Sequence, residues 1–197
     1  MRRTRSKKTA EVRVTAGVLK GRRLSYPEAG DFRPTMQAAK MAVFNHLGRL
    51  DGCVFCDLFA AAGGIGIEAA SRGAGVIHFV ESARKAVEHL RINVEACRID
   101  GCRFVVHEED AFDFILEGKL QEIRPTVIFA DPPYGEERLN YLLELLSEKS
   151  YDWLHRLIIE HDGRLEPEAA ARLREMKRSR FGRSMLSFFE PARGGET

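Results

Sequence analysis

An apolar run ends abruptly in an acid, two prolines and an aromatic: Val127-Ile128-Phe129-Ala130-Asp131-Pro132-Pro133-Tyr134. Each proline disfavours helical dihedrals in the residue before it, so Asp131 and Pro132 are held extended and the Pro132 carbonyl takes a fixed direction. A planar amine beside this turn can donate one hydrogen bond to the Asp131 carboxylate and one to the Pro132 carbonyl. Tyr134 offers a ring on which a base can stack. An ordinary proline-rich turn accounts less well for an acid placed directly after a buried strand.

Three other acids follow apolar runs. Asp57 opens Asp57-Leu-Phe-Ala-Ala-Ala-Gly63-Gly64-Ile-Gly66, a glycine-rich turn feeding a helix N-terminus that suits an anionic or carboxylate-bearing ligand. Its glycines do not form G-x-G-x-x-G, and no Gly-Lys-Ser/Thr follows, so neither the dinucleotide fingerprint nor a phosphate-binding loop is present. Glu81 ends Val-Ile-His-Phe-Val, where a carboxylate can accept both hydroxyls of a ribose or simply favour a helix N-terminus. Asp110 can accept from an exocyclic adenine amine or cap the helix that starts at Ala111. Their coincidence at successive strand ends is the stronger signal.

The elements that would carry these residues alternate. Val12–Leu19 and Arg22–Tyr26, flanking Lys20-Gly21, read as a β-hairpin, and Thr35 can cap a helix to about Leu47 with Ala39, Val43 and Leu47 on one face. Strands are expected at 53–59, 76–80, 104–106, 126–130 and 154–160, with helices at 65–71, 82–96, 111–120, 137–147 and 167–176. A last strand at 185–189 can pair with 176–180. Strands apolar throughout, separated by amphipathic helices, give an α/β fold with a doubly wound parallel sheet and an antiparallel C-terminal element. Ligands bind such sheets beyond the C-terminal strand ends.

The chain has 197 residues, 44% hydrophobic and 30% charged, enough for a substantial core and too apolar for disorder. Its net charge of +2 hides a division. Residues 1–27 hold nine basic residues and one acid, and residues 172–193 hold seven and two, whereas residues 28–171 hold fifteen against twenty-five acids. Two basic ends around an acidic middle suit a polyanionic partner. Of the four cysteines, Cys53 and Cys56 lie in a strand pattern that turns them to opposite faces, and Cys97 and Cys102 fit no zinc spacing, so no metal is expected. Free thiols, no apolar membrane span and no export signal point to a cytoplasmic protein.

Asp-Pro-Pro-Tyr at 131–134 resembles the active-site motif of S-adenosylmethionine-dependent methyltransferases acting on exocyclic amines of bases. Gly21-Arg-Arg-Leu24, Arg33-Pro-Thr35, Val43-Phe-Asn45, Asp57-Leu-Phe-Ala60, Gly66-Ile-Glu68-Ala and Ser71-Arg-Gly73-Ala resemble, more closely, the bacterial small-subunit (16S) ribosomal RNA guanine-N2 methyltransferase family, from about Val12 to Glu190. The resemblance implies a Rossmann-like class I methyltransferase sheet at 51–197 and a basic tail, hairpin and helix at 1–50 that bind RNA. It implies that Asp57, Phe59, Ala60, Ala61, Gly63, Gly66, Glu81, Ser82, Asp110 and Ala111 hold S-adenosyl-L-methionine, and that Asp131, Pro132, Pro133 and Tyr134 receive the target base. Arg2, Arg3, Arg5, Lys7, Lys8, Lys20, Arg22, Arg23, Arg33 and Thr35 become RNA contacts, in a monomer acting on a small ribosomal subunit or its assembly intermediate. The chain departs from the family at Ala61, usually Gly, at Gln37-Ala38, usually Asp-Arg, and at Met41, commonly Glu.

Two other readings keep the same residues. One is an amino-methyltransferase of adenine N6 in DNA or another RNA. The other is an inactive module that binds RNA on this fold, which an intact Asp-Pro-Pro-Tyr sequence argues against.

Overall fold

Local pairing begins at β1 (Val12–Arg13) and β2 (Arg23–Leu24), two short antiparallel strands in a computed structural model that describes residues 12–26, 35–133, 136–149, 151–163 and 172–192. Helix α1 (Thr35–Leu47) follows. Then come β3 (Val54–Leu58), α2 (Gly64–Ser71), β4 (Val76–Val80), α3 (Arg84–Ala96), β5 (Arg103–His107), α4 (Ala111–Leu116), α5 (Lys119–Ile123), β6 (Val127–Ala130), α6 (Glu136–Glu148) and β7 (Arg156–His161). The hairpin β8 (Leu173–Phe181) and β9 (Ser184–Pro191) completes the series.

The seven-stranded sheet has the order 5-4-3-6-7-9-8. Strands β3 to β7 are parallel, β9 is antiparallel to β7, and β8 is antiparallel to β9. Alternation of side chains divides the core in two. Cys56, Leu58, Ile128 and Leu157 face α4, α5 and α6, while Phe55, Ile77, Phe129 and Ile158 face α1, α2, α3 and the N-terminal hairpin. Val12, Val14, Leu24, Val43 and Phe44 are buried in this second cluster, so the hairpin and α1 share a core with the sheet.

Where the structure departs from the expected elements, a nearby group supplies the reason. The hairpin strands are only two residues each because residues 15–19 turn aside to bind α2. There the Thr15 amide and hydroxyl donate to Glu68 at 2.7 and 2.6 Å, the Ala16 amide donates at 3.0 Å, and the Leu19 amide donates to Ser71 at 2.9 Å. Gly17, at φ +80°, lies against the Ser71 backbone, where a Cβ would collide with the carbonyl. The single helix expected at 111–120 breaks at Gly118, whose φ of +80° no continuing helix adopts. The helix expected at 167–176 is contradicted at Leu173–Met176, which belong to β8; the open edge of β9 takes their backbone groups into a ladder. Residues 164–171 lie outside the described residues. The pairing expected between 176–180 and the last strand is present.

Candidate functional site

Sheet register explains why the acids meet. Asp57 on β3 pairs with Phe79 on β4 and Phe129 on β6, and Phe129 pairs with Ile158 on β7. Two residues beyond Phe79, Phe129 and Ile158, on the same face by the period of two, stand Glu81, Asp131 and Glu160. All four acids therefore gather at the C-terminal edge of the parallel strands, on the face covered by the hairpin and α1. A narrow cleft of about 80 Å³ there is lined by Asp57, Phe59, Ala61, Asp131 and Glu160, with Tyr26, Gln37 and Lys40 above them. A roomier cleft of about 570 Å³ opens at the opposite end of the sheet, but it holds none of the strand-end acids.

The turn after β3 is shaped by its backbone. Phe59 and Ala61 have φ of +59° and +47°, the left-handed region, which costs a residue bearing a Cβ about 1–2 kcal/mol. Hydrogen bonds hold it there. The Ala60 amide donates to the Val80 carbonyl at 3.0 Å, the Ala61 amide to Glu81 at 2.8 Å, and the Gly66 amide to Asp57 at 2.8 Å. Gly63, at φ +82°, caps α2, and a Cβ on Gly66 would meet the Phe79 ring. Asn93 of α3 donates to the carbonyls of Ser25 and Ala62 at 2.8 and 2.9 Å and so ties the hairpin to this turn.

The acids are poised differently. Burial, opposed by the Gly66 amide and reinforced by the charges of Asp131 and Glu81, raises the Asp57 carboxyl well above its ordinary range. Asp131 opens onto the cleft at one surface, yet the protein around it limits hydration. That crowding and the charge of Glu160 push its carboxyl up to about 8. Glu160 is likewise raised by burial, and less so because Ser184 donates a hydrogen bond to it. Among the described residues no cation pairs with Asp131 or Glu160. Lys40, the one ammonium lining the cleft among the described residues, is committed to Glu68 at 3.1 Å and to the Arg13 carbonyl at 2.8 Å. Glu81 accepts from Ala61 and Ala83 and keeps lone pairs for two more donors.

The remaining site residues read from the sequence are distributed as follows. Ala111 is buried, Ser82 and Pro133 are exposed, and Pro132 is buried. Asp110 does cap α4, accepting from the Phe112 amide at 2.8 Å. Thr35 begins α1. Lys20 and Arg22 lie by the C-terminal ends of α2 and α3, the end of the sheet away from the cleft: the 15–21 loop is bound to Ser71, and the Arg22 guanidinium donates to the Ala96 carbonyl at 3.1 Å. Arg23 is exposed on β2. Arg2, Arg3, Arg5, Lys7, Lys8, Arg33 and Tyr134 lie outside the described residues. Tyr26, Lys40, Asn93 and Glu160 carry the site as well and were not read from the sequence. Only Glu160, an acid ending the apolar run Leu157-Ile-Ile, had a signal that could have found it.

Comparison with known proteins gives the same fold and a consistent set of relatives. The family described as conserved hypothetical protein 95 matches residues 12–190. The chain is 33% identical over 184 residues to the Bacillus subtilis (strain 168) protein named "Putative rRNA methyltransferase YlbH", covering 91% of this chain and 98% of that one. It is 30% identical over 142 residues to "Ribosomal RNA small subunit methyltransferase D" of Haemophilus influenzae, covering 72% and 73%. It superposes on the solved "Putative methyltransferase yhhF" of Escherichia coli with a TM-score of 0.75 at 23% identity, covering 92% and 98% of the two chains. The sheet, with its antiparallel C-terminal pair and small N-terminal hairpin, has the class I methyltransferase fold.

Proposed function

The chain belongs to the conserved hypothetical protein 95 family, and from that premise we propose that it is an S-adenosyl-L-methionine-dependent methyltransferase of ribosomal RNA, acting on the exocyclic N2 amine of a guanine in the small subunit. The observation that carries this reading is the group of strand-end acids with no cation directed at Asp131 or Glu160 among the described residues. A cationic ligand relieves their mutual repulsion, and an amine gives Asp131 a donor.

The residues present fit that cofactor. Asp57 and the turn from Phe59 to Gly66 would hold its amino-acid part, Glu81 and Ser82 its ribose, and Asp110 and Ala111 its adenine. When bound, the cofactor supplies an electrophilic methyl on a cationic sulfur. An aromatic amine is a poor nucleophile because its lone pair is delocalised into the ring. Asp131 and the Pro132 carbonyl would accept the two amine hydrogens, favour a pyramidal nitrogen and aim its lone pair at the methyl. Asp131, drawn to its carboxylate form by the positive charge of the bound cofactor, would then take the proton that the methylated nitrogen releases. Orientation is the chain's main contribution. The guanine must be unpaired or flipped out to enter.

In this reading residues 51–197 carry the cofactor, and residues 1–50 hold the RNA through the basic tail, Lys20, Arg22, Arg23, Arg33 and Thr35, contacts that position without reading sequence. The test is transfer of labelled methyl from S-adenosyl-L-methionine to naked ribosomal RNA, assembled small subunits and DNA, followed by mass spectrometry of the modified nucleoside. N2-methylguanosine on ribosomal RNA is expected, with Asp131→Ala losing transfer by roughly a thousandfold or more while the variant still binds the cofactor, held by Asp57, Glu81 and the turn between β3 and α2. Full transfer by Asp131→Ala, or label on adenine alone, would reject the assignment.

A further inference from the structure

The cleft is lined by acids, so the phosphates of an RNA substrate cannot follow its base inward. They need cations on the rim beside Asp131. The hairpin cations Lys20 and Arg22 lie toward the opposite end of the sheet, and Arg22 is bound to the Ala96 carbonyl. The β8–β9 ribbon does reach the catalytic rim, as its register demonstrates. Glu160 and His161, at the C-terminal end of β7, pair with Leu186 and Met185, and β9 runs antiparallel from there, so its start at Ser184 projects past the strand end that carries the acids. Phe181 pairs with Ser184 across the turn Gly182-Arg183, which sets Arg180 and Arg183 at the tip. Both are exposed, and neither makes an ion pair among the described residues. Strand spacing places β9 roughly 10 Å and β8 roughly 15 Å from β6, within a few nucleotides of a base at Asp131. Ser184, at the root of the tip, hydrogen-bonds Glu160 and fixes the tip to the cleft wall.

We propose that Arg180 and Arg183 form a phosphate-binding tip for the RNA strand flanking the target nucleotide, an interaction surface on the catalytic rim separate from Lys20 and Arg22 of the hairpin. The inference rests on the RNA substrate proposed above. Two guanidiniums at one hairpin tip, Arg180 near the end of β8 and Arg183 in the turn, suit successive phosphates of a single strand better than a compact ligand, because among the described residues both stand exposed. The sequence around them, Arg178-Ser-Arg180-Phe-Gly-Arg183-Ser, belongs to the C-terminal basic segment, whose other described cations are partly spent: Arg178 on Glu175 and Arg174 on Glu190.

The experiment compares the full chain with the Arg180→Ala/Arg183→Ala double variant. The readouts are ribosomal RNA affinity at several salt concentrations, labelled methyl transfer and thermal unfolding. Expected are an unchanged unfolding temperature, RNA affinity and KM weakened about tenfold, kcat at saturating RNA within twofold, and a salt slope reduced by about 1.4, two phosphate contacts on a single strand. A double variant with unchanged affinity and slope, beside a wild type that methylates RNA, would overturn the tip alone. A loss of RNA affinity in a chain that methylates no RNA would keep the tip and remove the proposed reaction. A wild type that does not bind RNA would overturn both.

Discussion

Glu68 and Asp131 are both carboxylates packed against the same face of the sheet, and the fold treats them in opposite ways. Glu68 is fully buried, and around it are the Thr15 amide and hydroxyl, the Ala16 amide, Lys40 and Arg72. Burial alone would raise its carboxyl, but these donors and the Lys40 charge outweigh it and hold the group below its ordinary range. Asp131, crowded by the protein around it and then facing another acid, Glu160, is pushed up to about 8. A satisfied buried carboxylate builds structure: it binds the hairpin loop, α1 and α2 into one body. An unsatisfied one beside a like charge is a standing cost, which persists where a ligand offsets it. Lys40 links the two regions, since its commitment to Glu68 withholds its ammonium from the acids beside it.

The largest expected effect tests the structural side of this contrast. Replacing Glu68 by Ala leaves Lys40 buried without its partner and strands the Thr15 and Ala16 donors. Breaking such a buried pair costs about 3–5 kcal/mol. Urea unfolding should show that loss, and limited proteolysis should show the hairpin cut first. A loss below 1 kcal/mol would mean that apolar packing of Val12, Val14 and Leu24 holds the hairpin without Glu68.

A smaller and oppositely signed effect tests the other side through pH. Asp131 is raised in the folded state, so its favourable contribution is complete below about pH 4 and is lost as pH rises through about 8. Glu68 is depressed, so its contribution is complete above its unfolded value of 4.5 and is lost as pH falls. Asp131→Asn should therefore unfold at a higher temperature than the wild type at pH 9, with the difference shrinking as pH falls toward 4. Parallel curves for the two proteins across that range would show that the fold does not raise the Asp131 carboxyl.

The smallest effect belongs to the turn that separates the two regions. Ala61 sits at φ +47°, where glycine carries no Cβ penalty. After the greater freedom of glycine in the unfolded chain is counted, Ala61→Gly should gain about 0.5–1 kcal/mol, read by urea unfolding. Destabilisation would mean that the turn takes up its strain elsewhere.

The same contrast explains what was legible in the sequence. Asp57, Glu81 and Asp131 could be read because each ends an apolar run, and in a parallel sheet such ends meet on one edge. Glu160 obeys the same rule after Leu157-Ile-Ile, and a strict application would have included it. The hairpin and α1 were legible as elements, from Lys20-Gly21 and from the spacing of Ala39, Val43 and Leu47. The roles of Glu68 and Lys40 were not, because a carboxylate on a helix gives no sign of which distant amides will reach it; Thr15 and Glu68 are 53 residues apart. Tyr26 enters the cleft wall, and Asn93 ties the hairpin to the turn beside it, through the same kind of long-range docking. The strand at Leu173–Met176 was masked by a helical pattern that sheet pairing overrides.

The central claim is that the cleft acids are held uncompensated for a cationic ligand. Calorimetry of S-adenosyl-L-methionine binding near pH 7, in buffers of different ionisation enthalpy, tests it without depending on turnover. The sulfonium and ammonium charges should draw Asp131 and Asp57 toward their carboxylate forms, so binding should release protons, and S-adenosylhomocysteine, whose sulfur is neutral, should release fewer. Binding with no proton release, or with proton uptake, would contradict the account.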